Sequence, residues 1–344
     1  MSYRTGTADN LYDLLDEIVD TAALDGWTIV ETSDAEFNGV TRRNSVVLHG
    51  IGDGNDNIYV NMIVDPDEPR QMILDMSAGY DSDLYFWEQP GSIQQWNKTY
   101  EDKDTGKPQY QMRGKSIAIP AFSLVVNEQF TYFIFSNSYR IIVVCRLSID
   151  YQSFYVGLLA PISSEKQFPY PAYVAGNNSV SKEVYNEESD KTEFVGSFYP
   201  DVPTSSFVFP TANTGWLRRA DGTWRSFWMP YSESISAGTH SERGTDGTVY
   251  FDGHMFPYIC NNKSLVPNYV QNSVENIDFL LIPIIAMTSD PVDMCGLLRN
   301  VYWISGTRDV ASEQIVVLDS KQYIVFDDGN LRDNNSYFCI EIEL

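Results

Sequence analysis

The stretch FTYFIFSNSYRIIVVCRL, residues 130–147, decides the fold class of this chain. It contains two apolar runs, Phe130–Phe135 and Arg140–Leu147, and both are rich in the aromatic and β-branched residues that favour strands. Asn137-Ser138 lies between them, and such a pair is typical of a tight turn between antiparallel strands. The stretch therefore predicts a β-hairpin.

Similar short apolar runs lie on both sides of the hairpin, separated by turns rich in Gly, Asn and Asp, and each run predicts a strand. The predicted strands are Trp27–Glu31, Ser45–His49, Ile58–Val64, Gln71–Ala78, Gln152–Leu159, Thr248–Phe251, Phe279–Met287, Val301–Ser305, Gln314–Leu318, Gln322–Phe326 and Tyr337–Ile342. Two aromatic strands are predicted around a turn in Gly215–Phe227. The polar segment Glu88–Lys115 is predicted to be a long exposed loop.

One helix is predicted near the start of the chain, because apolar residues recur there at helical spacing with acidic residues on the other side. The apolar positions are Leu11, Leu14, Leu15, Ile18, Val19 and Ala22, and the acidic ones are Asp13, Asp16, Glu17 and Asp20. Either Thr7 or Asp9 is expected to cap its start, and Gly26 follows its end.

The predicted fold class is therefore α+β, predominantly β, with the helix packed on a mixed or antiparallel sheet and a β-rich region with long loops behind it. A change in composition suggests two domains. Residues 1–175 are predicted to form the α+β domain and residues 193–344 the β-rich domain. The polar segment 176–192 is predicted to be a linker or insertion.

The charge of the chain argues against nucleic-acid binding. It has 47 acidic and 23 basic residues and a formal net charge of −24. Such a surface repels a phosphate backbone. It also has few Lys or Arg side chains that could replace the cations bound to that backbone, and the release of those cations drives much of nucleic-acid binding. The longest apolar stretch, Phe279–Met287, is too short to cross a bilayer, and Met1–Arg4 leads into no apolar signal segment. We therefore expect a soluble protein without nucleic-acid or membrane partners.

The cysteines are predicted to be buried reduced thiols. Cys145, Cys260, Cys295 and Cys339 have no CxxC spacing and lie in or beside apolar runs. Isolated cysteines of this kind behave as small hydrophobic core residues. A disulfide framework is not expected at this density, and reduced thiols suit assembly in a cytoplasm.

Catalytic and metal motifs are sparse. The three histidines, His49, His240 and His254, carry no supporting nucleophile or metal signature, and we interpret them as ordinary surface or strand-end residues. The segments 53–57 and 327–330 cluster Asp and Asn oxygens as calcium sites do, but they lack the EF-hand spacing and are interpreted as turns. No catalytic, cofactor-binding or metal-binding residue is predicted, and neither is any cofactor.

Two alternatives to a purely structural role stay open from composition. Aromatic residues make up 14% of the chain, and Trp87-Glu88 and Asp221-Gly222-Thr223-Trp224 place indoles beside acids, as in sugar-stacking clefts. A carbohydrate-binding adsorption or fibre module is therefore one alternative. A glycoside hydrolase that uses two carboxylates is the other, because any two of the 47 acidic residues can converge in the fold.

A series of aromatic blocks in the middle and second half of the chain is similar to a family of virion structural proteins. This family is encoded among the tail and baseplate genes of tailed phages and prophages. The blocks are Tyr139–Val144, Tyr151–Leu159, Ala160-Pro161, Gln167–Gly176, Leu217-Arg218, Asp221–Trp224, Val301–Gly306, Glu313 and Tyr323–Phe326, within about residues 125–326, and the N-terminal helix with Gly26-Trp27 is also in keeping. Relatives are expected to carry an acidic turn before the Tyr-Trp block, and Cys295–Asn300 departs from that pattern.

The resemblance implies a non-enzymatic virion component, in the tail or baseplate, that forms a symmetric ring with copies of itself and contacts other tail or baseplate proteins. It implies assembly in the host bacterial cytoplasm and location in the virion. Gln167–Val174 is the segment predicted to make such contacts, because Pro169 and Pro171 exclude it from a central strand and stiffen it. Phe168, Tyr170 and Tyr173 are its predicted interface residues, and the alternative is that they cover the chain's own core.

Overall fold

The structure is a computed structural model of the 344-residue chain. The described residues are 1–52, 56–65, 69–84, 89–93, 96–101, 108–112, 119–124, 128–162, 171–180, 215–219, 222–227, 253–256, 280–289, 292–304, 310–327 and 337–342. Over these residues the chain forms one helix, three large β-sheets and a two-stranded ribbon. Every strand pair among them is antiparallel.

The first sheet contains the hairpin that the sequence predicted. Its seven strands are β1 (Ser2–Ala8), β9 (Phe130–Asn137), β10 (Arg140–Leu147), β11 (Asp150–Leu158), β12 (Ala172–Ala175), β14 (Gly215–Arg218) and β15 (Trp224–Phe227), in that spatial order. Asn137 pairs with Arg140 across the two-residue turn. The predicted hairpin is therefore confirmed.

The second sheet holds most of the strands that precede the hairpin. Its spatial order is β13 (Asn178–Val180), β8 (Ile119–Ser123), β5 (Gln71–Ser77), β4 (Ile58–Val64), β3 (Val40–Gly50) and β2 (Thr28–Phe37). The strands predicted over 58–64 and 71–78 lie where they were expected.

The third sheet is built from the end of the chain. Its spatial order is β16 (Gly253–Phe256), β17 (Leu281–Ser289), β18 (Val292–Ile304), β21 (Tyr337–Ile342), β20 (Lys321–Asp327) and β19 (Ile315–Leu318). The separate ribbon pairs β6 (Trp96–Glu101) with β7 (Pro108–Met112).

The helix α1 (Leu11–Leu24) forms where the apolar periodicity predicted it, and its apolar face is buried. Its N-cap is Asn10, and not Thr7 or Asp9, because the Asn10 side chain accepts a hydrogen bond from the Asp13 backbone N–H at 2.9 Å. Asp13 also accepts a bond from the Asn10 amide at 2.9 Å, which fixes the cap from both sides. The predicted helix packed on an antiparallel sheet is confirmed.

The first sheet is the middle layer of three, because both of its faces are buried. Ile141 and Val143 pack with the helix and the second sheet, whereas Ile142 and Val144 pack with the third sheet. Successive side chains of a strand point to opposite faces. A strand that is buried on both faces therefore needs an unbroken apolar run, which explains the composition of β10.

The sheets do not follow the predicted domain boundaries. β14 and β15 come from the predicted second domain, yet they extend the first sheet beside β12. β13 comes from the predicted linker and pairs with β8 of the second sheet. The boundary was wrong because a polar composition was taken to indicate exposed connections only. These segments also contain short strands, which lie at or next to the edges of the sheets.

The prediction of a long exposed loop over Glu88–Lys115 was also wrong. β6 and β7 lie inside it, and the side chains of Gln89 and Ile93 are buried. Polar strands in a ribbon carry no apolar alternation, so the sequence pattern gave no strand signal there.

Candidate functional site

The edge of the third sheet presents an apolar strand to solvent. β19 is the last strand of that sheet, and its only neighbour in the described chain is β20. Ile315 and Val317 are 53% and 63% exposed, whereas Val316 between them is 2% exposed. β19 therefore anchors one face through Val316 and displays two large apolar side chains on the other.

The backbone of β19 is also open on this edge. Asp319 and Ser320 have φ values of +49° and +66°, which are typical of the two-residue hairpin turn that joins β19 to β20. Such a turn closes a hydrogen-bonded pair, so the pairs alternate and the N–H and C=O groups of Ile315 and Val317 point away from β20. Within the described chain these groups have no partner. This surface, Ile315 and Val317 with their outward backbone groups, is called the β19 edge below.

A charged cluster holds the start of β19 against the first sheet. The Arg146 guanidinium on β10 pairs with the Glu313 carboxylate, and the Tyr151 hydroxyl donates to the same Glu313 oxygen at 2.8 Å. The Glu313 N–H donates to the Val325 carbonyl at 2.7 Å, which fixes the turn in front of β19. Burial, and then the Glu313 carboxylate, raise the pKa of Tyr151 to about 12.

A second candidate feature is a strap, residues 89–93, that crosses from the second sheet to the first. The Pro90 carbonyl accepts the N–H groups of Ala78 and Gly79 at 2.8 and 3.2 Å, at the end of β5. The Trp224 indole of β15 donates to the Gly91 carbonyl at 3.0 Å. The strap therefore ties the two sheets together at one end of the sandwich.

Under the strap lies a buried polar group of side chains, Asn61, Asp75 and Ser77, which are 0%, 2% and 4% exposed. Asn61 on β4 is directly opposite Asp75 on β5. Both polar atoms of the Asn61 amide and the Ser77 hydroxyl lack a hydrogen-bond partner. Buried polar atoms are nearly always satisfied, so this cluster is an unusual feature of the fold.

Asp75 is the most strongly perturbed carboxyl in the described chain. Its Oδ1 accepts the N–H groups of Met76 at 2.7 Å and Ile93 at 3.3 Å. Burial raises its pKa to about 7, and these two hydrogen bonds oppose that effect only in part. The described contacts of Asp75 include no second carboxylate, which a two-carboxylate glycosidase site requires.

A narrow cleft opens beside this cluster, between the ends of the second and first sheets. Ser77, Asn57, Arg218 and Trp224 line it, with Ile58 and Leu158 among its apolar walls. The Arg218 side chain is half-buried, and its Nε atom is buried without a hydrogen-bond partner. Burial lowers the pKa of the Arg218 guanidinium.

Of the predicted interface residues, Phe168 and Tyr170 lie outside the described residues. Tyr173 is 0% exposed and packs in the core between the first and third sheets, with its ring 5.7 Å from that of Tyr155. It lies on β12, a central strand that begins just after Pro171. A proline is tolerated directly before a strand, so the argument that excluded a central strand was wrong for residues 172–174. Tyr173 is a core residue and not an interface anchor.

The histidines occupy different places. His49 on β3 stacks on Tyr59 with ring centroids 4.6 Å apart, and its Nε2 lies 3.2 Å from the Asn57 side-chain oxygen. His254 lies on β16, opposite Met287, and His240 lies outside the described residues.

Three of the four cysteines have described positions, and all three are buried thiols, as predicted: Cys145, Cys295 and Cys339. Burial raises the pKa of the Cys145 and Cys339 thiols, so they stay protonated and unreactive at neutral pH. Cys260 lies outside the described residues.

The predicted turns 53–57 and 327–330 fall mostly outside the described residues, which include Asp56, Asn57 and Asp327. Over the described ranges, no three His, Cys, Asp or Glu side chains are grouped as metal ligands. No helix in the same ranges is long and apolar enough to cross a membrane.

Comparison with known proteins adds no relative, since no protein-family model and no curated protein matches this chain. The features above were missed from the sequence for different reasons. Asp75 and Asn61 are polar residues inside apolar runs, and this pattern could have been recognised in the sequence. The exposure of Ile315 and the lack of an acid beside Arg218 among the described residues are set by tertiary structure, and neither leaves a local pattern.

Proposed function

We propose that this chain is a non-enzymatic structural subunit that assembles with copies of itself in the tail or baseplate of a tailed-phage virion. The β19 edge is the observation that supports self-assembly. The sequence resemblance to virion structural proteins supports the place of that assembly in a phage particle.

The β19 edge has both components that strand addition uses. Its outward N–H and C=O groups form the hydrogen bonds of a new antiparallel pair, and the apolar side chains on one face supply burial. Proteins usually protect such edges with charge, proline or a bulge. β19 is Ile-Val-Val-Leu, which contains no charged residue or proline.

The opposite treatment of β2 supports this interpretation. β2 is also an edge strand, and it is exposed along most of its length. It carries Glu31, Asp34 and Glu36 and has two bulges against β3. These are the features that prevent edge-to-edge pairing. One edge is therefore protected, while the β19 edge has no strand beside it within the described residues.

A pair of lysine substitutions at the β19 edge tests the proposal. Ile315→Lys with Val317→Lys places two charges where the strands pair, and both side chains are exposed, so the subunit itself stays folded. In about 0.3 M NaCl, where surface repulsion is screened, wild-type protein is expected to exceed the subunit mass of 39.1 kDa in light scattering. The double variant is expected to be a monomer.

The matched control is Leu24→Lys with Ile149→Lys, because these residues are 74% and 68% exposed but lie at a helix end and a hairpin turn. It should assemble as wild type does. A monomeric wild type, or equal assembly of all three proteins, contradicts the β19 contact. Mass spectrometry of purified particles tests the virion assignment separately, and a chain absent from them contradicts it.

A row of rings on the second sheet favours the carbohydrate-binding alternative. Tyr59 stacks on His49 at 4.6 Å and on Tyr80 at 6.1 Å, and the Tyr80 hydroxyl donates to Glu31 at 2.8 Å. Partly exposed rings beside hydrogen-bonding groups suit sugar stacking. A thermal-shift screen with host polysaccharide fragments tests this. A stabilisation lost in Tyr59→Ala but kept in Tyr337→Ala favours the alternative.

A further inference from the structure

We infer that the β19 edge pairs with the β19 edge of a second copy across a two-fold axis, with Ile315 opposite Val317 of the partner subunit. The inference rests on the proposed self-assembly and adds the partner strand, the symmetry and the register. It follows from the backbone directions along β19, from the turns that bound the strand and from the charges on other sheet edges.

The outward backbone groups of β19 restrict how the strand can pair with itself. The N–H and C=O groups of Ile315 and Val317 point away from β20, whereas those of Val316 face it. Hydrogen-bonded pairs between two antiparallel copies must therefore join residues of the outward set. Either Ile315 lies opposite itself, or Val317 lies opposite itself, or the two residues lie opposite each other.

The turns on both sides of β19 favour the register in which Ile315 is opposite Val317. Glu313 and Asp319 have φ values of +66° and +49°, so the backbone leaves the strand conformation near both ends. If Ile315 were opposite itself, Val317 would be opposite the turn residue Glu313. If Val317 were opposite itself, Ile315 would be opposite the turn residue Asp319. Only the mixed register gives every outward group of β19 a strand partner.

The mixed register also joins the exposed apolar side chains of the two copies. Ile315 and Val317 are exposed on the same face of β19, and each lies beside the other residue of the partner subunit in this register. Val316 lies on the axis, on the opposite and buried face. The contact therefore removes backbone groups and apolar side chains from water together.

Charge favours β19 as the partner strand over β1 and β2, the longest edge strands of the three large sheets. Each copy carries −24, so a contact between copies must keep acidic residues apart. β2 contains Glu31, Asp34 and Glu36, and β1 contains Arg4. β16, at the other edge of the third sheet, contacts β15 of the first sheet. β19 has no charged residue, so its self-pairing buries no charge within the paired strands.

The symmetry has a consequence for larger assemblies. A two-fold contact closes on itself and joins copies in pairs, so a ring needs a second and different contact surface. β19 is 4 residues long, and its self-pairing is expected to be weaker than interfaces that bury about 1,200–2,000 Å². A covalent trap at high protein concentration is therefore the suitable test.

Ile315→Cys and Val317→Cys, made as separate full-length variants, test the register. Both carry Cys260→Ser, because the other three native cysteines are buried. In the inferred register the two positions are opposite each other, with Cα atoms roughly 5.5 Å apart, which a disulfide spans. Each position lies diagonally from its own counterpart, at roughly 7–8 Å, which a disulfide does not span without backbone movement.

Mild oxidation of an equal mixture of the two variants, in about 0.3 M NaCl, should give a covalent dimer. Its yield should be at least about fivefold higher than with either variant alone. A mixture of Leu24→Cys and Ile149→Cys in the same background is the matched control, because both residues are exposed away from β19, and it should stay at background. A variant that crosslinks alone as well as the mixture does, or a mixture that stays at background, overturns the inference.

Light scattering distinguishes this failure from failure of the proposed function. If Ile315→Lys with Val317→Lys abolishes assembly but the cysteine mixture does not crosslink, self-assembly through β19 stands and the two-fold pairing is overturned. If wild type is also monomeric, both are overturned. A crosslinked mixture supports the pairing, and its product should have twice the subunit mass of 39.1 kDa.

Discussion

Arg146 and Glu313, 167 residues apart in the chain, form an ion pair between β10 of the first sheet and the turn before β19. Tyr151 on β11 donates to the same carboxylate oxygen, and Arg146 also reaches the Thr131 hydroxyl at 3.3 Å. The open edge strand is therefore fixed at its N-terminal end to the central layer of the fold. A strand held in one position is preorganised for pairing, which lowers the entropic cost of assembly.

Glu313→Gln is expected to weaken this attachment. The substitution removes the charge that Arg146 and Tyr151 share, and the pair is partly exposed, so the free energy of unfolding should fall by about 1 kcal/mol. Urea unfolding measures the change. A double-mutant cycle with Arg146→Met should show a coupling of about 0.5–1 kcal/mol. Strictly additive effects of the two substitutions would contradict the importance of the pair.

The sequence predicted the elements whose burial leaves a pattern. The hairpin over residues 130–147 and the helix from Leu11 were both found, because apolar spacing records which faces are buried. β1 was missed: Ser2–Ala8 is mostly polar, and it is a strand because it pairs with β9, more than a hundred residues away. Pairing of that kind depends on the rest of the fold and leaves no local signal.

The candidate sites were less predictable than the fold. The sequence predicted a strand at Gln314–Leu318, but its place at the edge of a sheet follows from the strand order. Arg218 was noted only within a familiar block, and the absence of an acidic partner for it among the described residues is a property of three-dimensional packing. Tyr173 shows the converse error: it was predicted as an interface residue of a proline-stiffened segment, with the chain's own core as the alternative, and it is fully buried in that core.

Asp75 should make the stability of the protein depend on pH in an unusual direction. Its pKa is raised to about 7 in the fold, against about 4 in an unfolded chain, so the folded state holds a proton that the unfolded state releases. Its contribution is therefore fully present below about pH 4 and is lost as the pH rises through about 7. The size of the loss is about 3–4 kcal/mol for this shift.

The variant Asp75→Asn isolates this effect, because it keeps the oxygen that accepts the Met76 and Ile93 N–H groups but cannot ionise. The difference in unfolding free energy between variant and wild type should grow in favour of the variant from pH 5 to pH 8. Asp319→Asn, on the exposed turn after β19, is the matched control for the loss of one carboxylate. A constant difference between Asp75→Asn and wild type would mean that Asp75 is already ionised at pH 5.

Arg140 provides a test of how a buried charge is tolerated. It is 0% exposed, and its guanidinium donates to the carbonyls of Arg299 at 3.0 Å and Phe135 at 3.1 Å and to the Met1 sulfur at 3.2 Å. Burial lowers its pKa to about 10. Lysine keeps the buried charge without reaching all three acceptors, whereas methionine removes the charge.

Arg140→Lys is therefore expected to be the more damaging substitution, with a loss of about 3–4 kcal/mol. Arg140→Met should lose about 1–2 kcal/mol, since only the hydrogen bonds are missing. Guanidinium unfolding at one pH compares the two variants. A lysine variant as stable as the methionine variant would show that water reaches this position.

The last prediction concerns salt, because the subunit and its open edge differ in charge. The whole chain carries −24, whereas β19 has no charged residue and the nearby Glu313 and Lys321 are already paired with Arg146 and Glu341. Assembly through the β19 edge therefore gains apolar burial and strand hydrogen bonds at the contact. The cost is repulsion between the acidic surfaces of neighbouring copies, and salt reduces that cost.

Screening limits such repulsion to roughly 8 Å at physiological ionic strength and to about 30 Å at 0.01 M. Sedimentation velocity should accordingly show monomers at about 0.01–0.02 M NaCl and larger species at about 0.2–0.5 M, and millimolar Mg²⁺ should also favour assembly. The Ile315→Lys, Val317→Lys variant should stay monomeric at every salt concentration, because screening does not restore the lost apolar contact. Assemblies that dissociate as salt rises would show that complementary ion pairs hold the copies together, and the β19 edge would then not be the main contact.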